Sequence, residues 1–285
     1  MIRIFGILAG LFFSVAVLWS FVNGAFVAAT EGMGEATAES EFYEHPEELH
    51  LASDGVFGTF DKAQLQRGYQ VYKEVCSACH SLKFVAFRDL AQLGYEEGQV
   101  KTEAASWQVP GIDQATGEAI MRPGVPTDYF PSPYPNAVAA AAANNNAIPP
   151  DLSLMTKARH DGSAYVHSLL TGYGPVPSEL QEQFPEFSAP EGTYFNKYFA
   201  NLALAMAPPL TSADQVTYGP GNPEASIDQM ATDVTAFLTW SAEPTLVKRR
   251  QTGWPVLGFL LLATLLAFFA KKQIWSAVKP KKSDS

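Results

Sequence analysis

The chain has 285 residues, 47% of them hydrophobic, with 19 Lys+Arg against 29 Asp+Glu for a net charge of −10. That length accommodates one or two domains with a real core. Residues 248–285 hold eight Lys+Arg and one acid, leaving 11 basic and 28 acidic residues elsewhere; a body that acidic excludes nucleic acid, whose phosphates it would repel, and suits a basic protein partner steered in by charge.

The first element is an apolar run, Ile4 to Val22, behind a single basic residue, Arg3. It reads as an export signal or a membrane segment. Val27-Ala28-Ala29 is an acceptable small-residue cleavage site, and removal near Ala29 is expected. Glu31 to Glu48 follows with seven Glu and neither a helical nor a strand period, which predicts a flexible acidic lead-in. Globular sequence begins near Gly55. Asp61 is placed to cap a helix from Lys62 to Val75, in which Leu65, Tyr69 and Tyr72 recur at i, i+4 and i+7 as one buried stripe.

That helix delivers Val75-Cys76-Ser77-Ala78-Cys79-His80. C-x-x-C-H is the attachment spacing for a c-type haem. Two thiols on one side of a short helical turn can add to the two vinyl groups of the macrocycle, and the next residue offers an imidazole to the iron. A zinc site would need two further ligands, yet Cys76 and Cys79 are the only cysteines and His45, His50, His160 and His167 show no paired spacing. A thioredoxin-like pair belongs beside a βαβ pattern, and none is present. Haem attachment of this kind takes place outside the cytoplasm, which accounts for the export run. No thiol remains for a disulfide.

A second helix is expected from Phe84 to about Leu93, ended by Gly94. From Ala105 to Pro135 the pattern breaks. Met121-Arg122-Pro123-Gly124 and Asp128-Tyr129-Phe130-Pro131-Ser132-Pro133-Tyr134-Pro135 combine prolines with aromatics, which predicts a long irregular loop wrapped against the domain or its cofactor. Asn136 can cap a short helix over Ala137–Ala143. Asp151 or Ser153 is expected to cap a helix to about His160, and Ser163 another to Leu170 before Gly172. Gly174 to Gly192 reads as an acidic loop, and Asn201 to Ala207 leads into Pro208-Pro209. Ile227, Met230, Val234, Phe237 and Leu238 give Ser226–Trp240 an amphipathic helical pattern. Gly253 to Ala270 is apolar throughout and spans roughly 27 Å as a helix, near the thickness of a hydrocarbon core. Lys271, Lys272, Lys279, Lys281 and Lys282 follow it, which places the tail on the cytoplasmic side and the large domain outside.

An electron-carrying haem needs a second axial ligand, often methionine. Met121, Met155, Met206 and Met230 follow His80. Met155 and Met230 lie in helical patterns where core packing is the default, while Met121 and Met206 sit beside proline-containing loops; position favours Met206 only weakly.

Several stretches together carry a resemblance. Arg67-Gly68-Tyr69-Gln70-Val71-Tyr72 runs into the C-x-x-C-H turn. Met121-Arg122-Pro123-Gly124, Asp128-Tyr129-Phe130-Pro131, Pro149-Pro150-Asp151-Leu152-Ser153, Ala158-Arg159-His160, Met206-Ala207-Pro208-Pro209 and Phe237-Leu238-Thr239-Trp240 follow in order. On these the chain resembles the cytochrome c1 family, the haem subunits of quinol–cytochrome c oxidoreductase (bc1) complexes of alphaproteobacterial and mitochondrial type. The resemblance implies a mostly α fold: a c-type cytochrome haem domain with long loop insertions and one C-terminal transmembrane helix. It implies one covalent haem c on Cys76 and Cys79, with His80 and Met206 as axial ligands of the iron. Arg159 would lie near a propionate, and Tyr165 nearby.

The expected layout is a signal or membrane segment over 1–29, the acidic lead-in over 30–54 and a periplasmic haem domain over 55–247. An anchor over 253–270 in the bacterial inner membrane and a basic cytoplasmic tail over 271–285 complete it. The implied partners are cytochrome b, a Rieske iron–sulfur protein and an acceptor c-type cytochrome, in a dimeric complex. The chain would be no enzyme by itself but the electron carrier of one. The competing class is a peroxidase-like haem enzyme subunit with a displaceable axial ligand, for which His160 and His167 would have to supply acid–base groups.

Overall fold

The computed structural model describes residues 2–30, 36–276 and 278; Glu31 and Glu35 of the acidic stretch and Lys279, Lys281 and Lys282 of the tail lie outside them. The chain divides into two units, residues 1–43 with 176–188, and the remainder.

In the first unit, α1 (Ile2–Thr30) buries no residue. It is long and apolar enough to cross a membrane, a test that signal sequences also pass. Helix α2 (Ala38–Phe42) falls where no period was expected. Thr37 and Ser40 close a reciprocal capping box there, each side chain bonded to the other's backbone N–H. Its companion, the Ser178–Gln183 helix (numbered α7 in chain order), occupies sequence expected to be loop; the rings of Phe42 and Phe184 meet edge to face at 6.2 Å.

The second unit is built on two packed helices. Asp61 caps α3 (Lys62–Glu74) as expected, its carboxylate accepting from the Ala63 and Gln64 amides. Ser226 caps α8 (Ile227–Ala242), its hydroxyl accepting from the Gln229 amide. They meet closely at Gly68, where an added Cβ would lie 2.0 Å from the Asp233 carbonyl oxygen and 2.7 Å from Phe237 Cβ. Only a glycine admits that approach. Beside it, Arg67 holds the fully buried Asp233 carboxylate in a two-point ion pair at 2.8 and 3.0 Å, and Gln229 Nε2 donates to the same group at 2.9 Å. Buried charge survives only with such partners.

The rest wraps this pair. A 3₁₀ stretch over Phe87–Leu93 stands where the second helix was expected and ends at Gly94, φ +98°. Helix α4 (Glu97–Ala105) leads into a hairpin, β1 (Gln108–Ile112) against β2 (Ala119–Pro123), antiparallel with Pro110 opposite Met121. Regular structure was not expected here. A two-stranded ribbon has only edges, so Pro110 and Pro123 cost no central ladder bond, and Asp113 Oδ1 shapes the turn by accepting from the Ala115 and Thr116 amides. The proline-aromatic segment after it wraps the domain as expected. Phe87 N donates to Asp128 O and Phe130 N to Val85 O, while the Phe130 ring is buried against Tyr69, Tyr72, Phe87 and Trp107.

Helix α5 (Ala137–Ala143) is capped by Asn136 as expected. The helix expected to run to about His160 is only a 3₁₀ turn, Met155–Lys157. Helix α6 (Gly162–Thr171) starts after Asp161 rather than Ser163, and Asp161 makes no side-chain cap bond. A minimal ribbon pairs β3 (Tyr194–Phe195) with β4 (Ala203–Leu204). The sequence just before Gly55 is also tied in. Glu47 N donates to Ser168 Oγ at 2.9 Å, Tyr198 OH donates to Glu47 Oε1 at 2.6 Å, and Lys197 pairs with Glu44 at 2.7 Å. Leu51 belongs to the core. The lead-in is therefore structured at α2 and again from Glu44 onward. Finally α9 (Leu246–Ser276) contains the expected apolar run and buries only its first residue.

Candidate functional site

Helix α3 ends at Val75, and Cys76–Ala78 form a 3₁₀ turn. The Cys76 carbonyl accepts from both the Cys79 and His80 amides, at 3.1 and 2.9 Å. One turn thus carries two free thiols and the imidazole. Burial first, and the neighbouring Cys79 second, push the Cys76 thiol up to about 12. A redox dithiol needs the opposite shift.

The imidazole is aimed by a strap from the other side. His80 Nδ1 lies 2.8 Å from the Pro150 carbonyl oxygen. That acceptor puts the ring proton on Nδ1 and leaves Nε2 as the basic nitrogen. Burial lowers the His80 pKa, against the opposing pull of the Pro150 bond and of Asp151, so the ring is neutral, the state that ligates.

The strap is fastened at several points. Asp151 Oδ2 accepts from Ser81 Oγ at 2.7 Å and Lys83 N at 2.9 Å, and Oδ1 from Ser153 N at 3.0 Å. Leu152 N donates to Ser81 O, and Phe84 N to Ser153 Oγ. Burial raises the Asp151 pKa, but these bonds, led by the one from the Lys83 amide, outweigh it and hold the carboxyl below the usual range. From the turn side, Tyr72 OH donates to His80 O at 3.2 Å. Asp151 was expected to cap a helix; it caps no helix because its acceptor capacity is used across the chain.

The methionines separate by environment. Met230 is fully buried on α8 and Met155 belongs to the same core. Met121 is exposed on β2. Met206 alone is half-buried on a braced loop: Tyr173 OH donates to its carbonyl at 3.0 Å, and Gln215 Nε2 donates to Pro209 O at 2.8 Å. Arg159 is exposed, with one bond to the Ala158 carbonyl, and Tyr165 packs on the core from α6. Among the described residues neither Met206 nor Arg159 is hydrogen-bonded to the Cys76–His80 turn. His167 is buried on α6 with Nε2 3.0 Å from Asp228 Oδ1, and His160 is exposed.

The model of the Cytochrome C1 family matches residues 51–278. The chain belongs to the cytochrome c1 family. It is 46% identical over 234 residues to a protein of Rhodospirillum rubrum named cytochrome c1, covering 79% of this chain and 85% of that one. It is 44% identical over 237 residues to one of Bradyrhizobium diazoefficiens named cytochrome b/c1, covering 78% of this chain but 34% of that longer one. A Candida albicans protein named cytochrome b-c1 complex catalytic subunit, mitochondrial, is 40% identical over 248 residues, covering 87% of this chain and 83% of that one. The donor chemistry fits the family's cofactor, haem c. Two uncombined thiols share a turn with an imidazole whose Nδ1 is already committed, and one thioether, that of Met206, is half-buried on a braced loop.

Sequence reasoning missed the strap's role. Its signal was Pro149-Pro150-Asp151, a rigid corner that exposes one carbonyl and one carboxylate.

Proposed function

We propose that this chain takes one electron from a Rieske iron–sulfur subunit and hands it to a c-type cytochrome, as the electron carrier of a bc1-type complex. The observation that carries this reading is the Pro150–Ser153 strap, which fixes His80 in one tautomer and one orientation in a chain of this family. When bound, haem c supplies a one-electron iron couple. Cys76 and Cys79 would hold it through thioethers. His80 Nε2 and the Met206 thioether would both hold the iron and so exclude small ligands. Arg159 would neutralise a propionate. The chain performs no bond chemistry of its own. Its acidic body suits a basic acceptor at the rim.

Cytochrome b as neighbour is supported by the Bradyrhizobium relative, whose name joins b and c1 in one chain, and a dimeric complex is part of the same reading. Residues 1–29 are read as a leader removed near Ala29, α9 as the single anchor in a bacterial inner membrane, residues 55–247 as the periplasmic haem domain and 271–285 as the cytoplasmic tail. The test uses the complex purified through a C-terminal tag on this chain. Quinol is added and the haem c band followed, with and without a cytochrome c acceptor. Rapid reduction, co-purifying b-type haem and onward transfer are expected. A lone chain reduced only by dithionite would overturn the assignment.

A further inference from the structure

The loop before α3 has a feature that the haem site does not use. Leu51 and Ser53 are buried, yet Val56 and Phe57 at the tip are 55% and 84% exposed. The loop is not slack. Asp54 N donates to Leu51 O at 2.9 Å, Leu51 N to Asp54 Oδ2 at 2.7 Å, and Thr59 N to Ala52 O at 2.9 Å. Gly55 takes φ +69°, and a Cβ on Gly58 would lie 2.0 Å from the Asp54 carbonyl oxygen. Two apolar side chains are thus held at the tip of a rigid turn.

Two links tie that turn to the root of α9. Arg250 donates from Nη1 to the Ser53 carbonyl at 2.7 Å. The Phe57 ring stacks on Trp254, with centroids 6.2 Å apart and planes 18° apart. Trp254 is itself 52% exposed and begins the apolar part of the helix. Lys248, Arg249 and Arg250 precede it. At about 1.5 Å per residue, Arg250 stands roughly 6 Å outward of Trp254 along the axis. Cations at that level and aromatic rings one turn deeper are the order in which a bilayer presents phosphates and the boundary of its acyl layer.

We propose that residues 51–59 are a second membrane contact of this chain, with Val56 and Phe57 inserted beside Trp254 at the headgroup–acyl boundary of the outer leaflet. The occupant is the lipid surface itself. The charge order on α9 matches lipid phosphates, and the loop tip continues the face with which α9 would enter the bilayer. A haem domain held at two points keeps a fixed height and tilt above the membrane, whereas a single helix is free to tilt in the bilayer. This rests on α9 spanning the membrane, and the test separates the two.

In the assembled complex in native membranes, Phe57→Cys, Leu261→Cys and Thr116→Cys are each labelled with a benzophenone maleimide and irradiated, and this chain's mass is read. Leu261 lies midway along α9, and Thr116 is exposed in the turn between β1 and β2. Positions 57 and 261 are expected to gain the mass of one phospholipid, and position 116 none. A lipid adduct at 261 with a protein cross-link, or no adduct, at 57 would overturn the loop contact and leave the anchor standing. No lipid adduct at 261 would overturn the anchor, and the loop contact with it. If Phe57→Cys loses haem absorbance, Val56→Cys takes its place with the same expectations.

Discussion

Asp151→Asn takes the charge from the carboxylate that clamps the strap to the haem-attachment turn. The wild-type group accepts from Ser81 Oγ and Lys83 N on Oδ2 and from Ser153 N on Oδ1. An asparagine can present oxygen to one side only, so either orientation sets an amide NH₂ against a backbone N–H. A hydrogen bond to a charged acceptor contributes about 1.5–3 kcal/mol, and an unpaired buried donor costs about 1–3 kcal/mol. The site is half-buried, so the lower part of that range applies, on the order of 2–3 kcal/mol. Asp151→Ala, which loses all three bonds, should cost more, and Ser81→Ala, which removes one of the three donors to the charged acceptor, about 1.5 kcal/mol. Thermal loss of the haem-band circular dichroism of the complex reads this directly. At roughly 2–4 °C per kcal/mol for a chain of this size, Asp151→Asn should melt about 4–12 °C lower. With the His80 ring no longer aimed by a fixed Pro150 carbonyl, the reduction potential of the haem iron should change. The pH dependence has a definite sign. The folded pKa is depressed below its ordinary 3.8, so the clamp's contribution is complete above that value and is lost as pH falls through the lower folded value. The gap between wild type and Asp151→Asn should therefore be constant above about pH 5 and shrink on acidification. Equal melting and equal potential at pH 7, or a gap that widens in acid, would refute the clamp.

Met206→Leu should lower the reduction potential and let carbon monoxide bind the reduced iron; a spectrum and potential unchanged by the substitution would place the second ligand elsewhere. Gly68→Ala puts a methyl 2.0 Å from the Asp233 carbonyl. Overpacking of about 1–3 kcal/mol should exceed the roughly 1 kcal/mol gain in helix propensity and lower the melting temperature; a stabilised variant would show that α3 and α8 can part freely. Arg67→Leu leaves the buried Asp233 carboxylate unpaired and should cost about 3–5 kcal/mol, of which Arg67→Leu with Asp233→Leu should recover a part; chemical denaturation of the two measures it. Electron transfer to a basic cytochrome should slow as salt rises, and a rate flat in ionic strength would dismiss the acidic docking surface.

What was legible in the sequence is what a local rule controls. Asp61 and Asn136 each cap the helix they were expected to cap, because an N-cap needs only its own next three residues. The C-x-x-C-H turn is equally local. Asp151 and Ser153 failed as caps for the complementary reason. Their side chains bond to Ser81, Lys83 and Phe84, partners that spacing cannot reveal. The hairpin escaped because proline density argues against strands only where a ladder bond would be lost. The proposal of Met206 as the second ligand rests on tertiary facts as well. Met155 and Met230 are removed by burial in the core, a property that their own neighbours in sequence only suggest.

The same packing joins the two ends of the molecule's work. Helix α3 delivers Cys76, and α8 lies against it at Gly68 with no room for a side chain. Helix α8 ends at Ala242 and α9 begins at Leu246, so only residues 243–245 separate the last core helix from α9. That short link is itself stiffened: Glu243 pairs with Lys157 at 3.4 Å and with Arg249, and Arg250 bonds to Ser53 across the domain. Contacts therefore run without a break from α9 to α8, and through Gly68 to the helix that delivers the thiols. On the proposed function, in which the carrier meets one partner and then another, a cofactor held at a fixed height is an advantage, because electron transfer between proteins depends on the distance between centres. The glycine at 68 and the charge pairs around residues 243–250 would serve that requirement from opposite ends of one pair of helices.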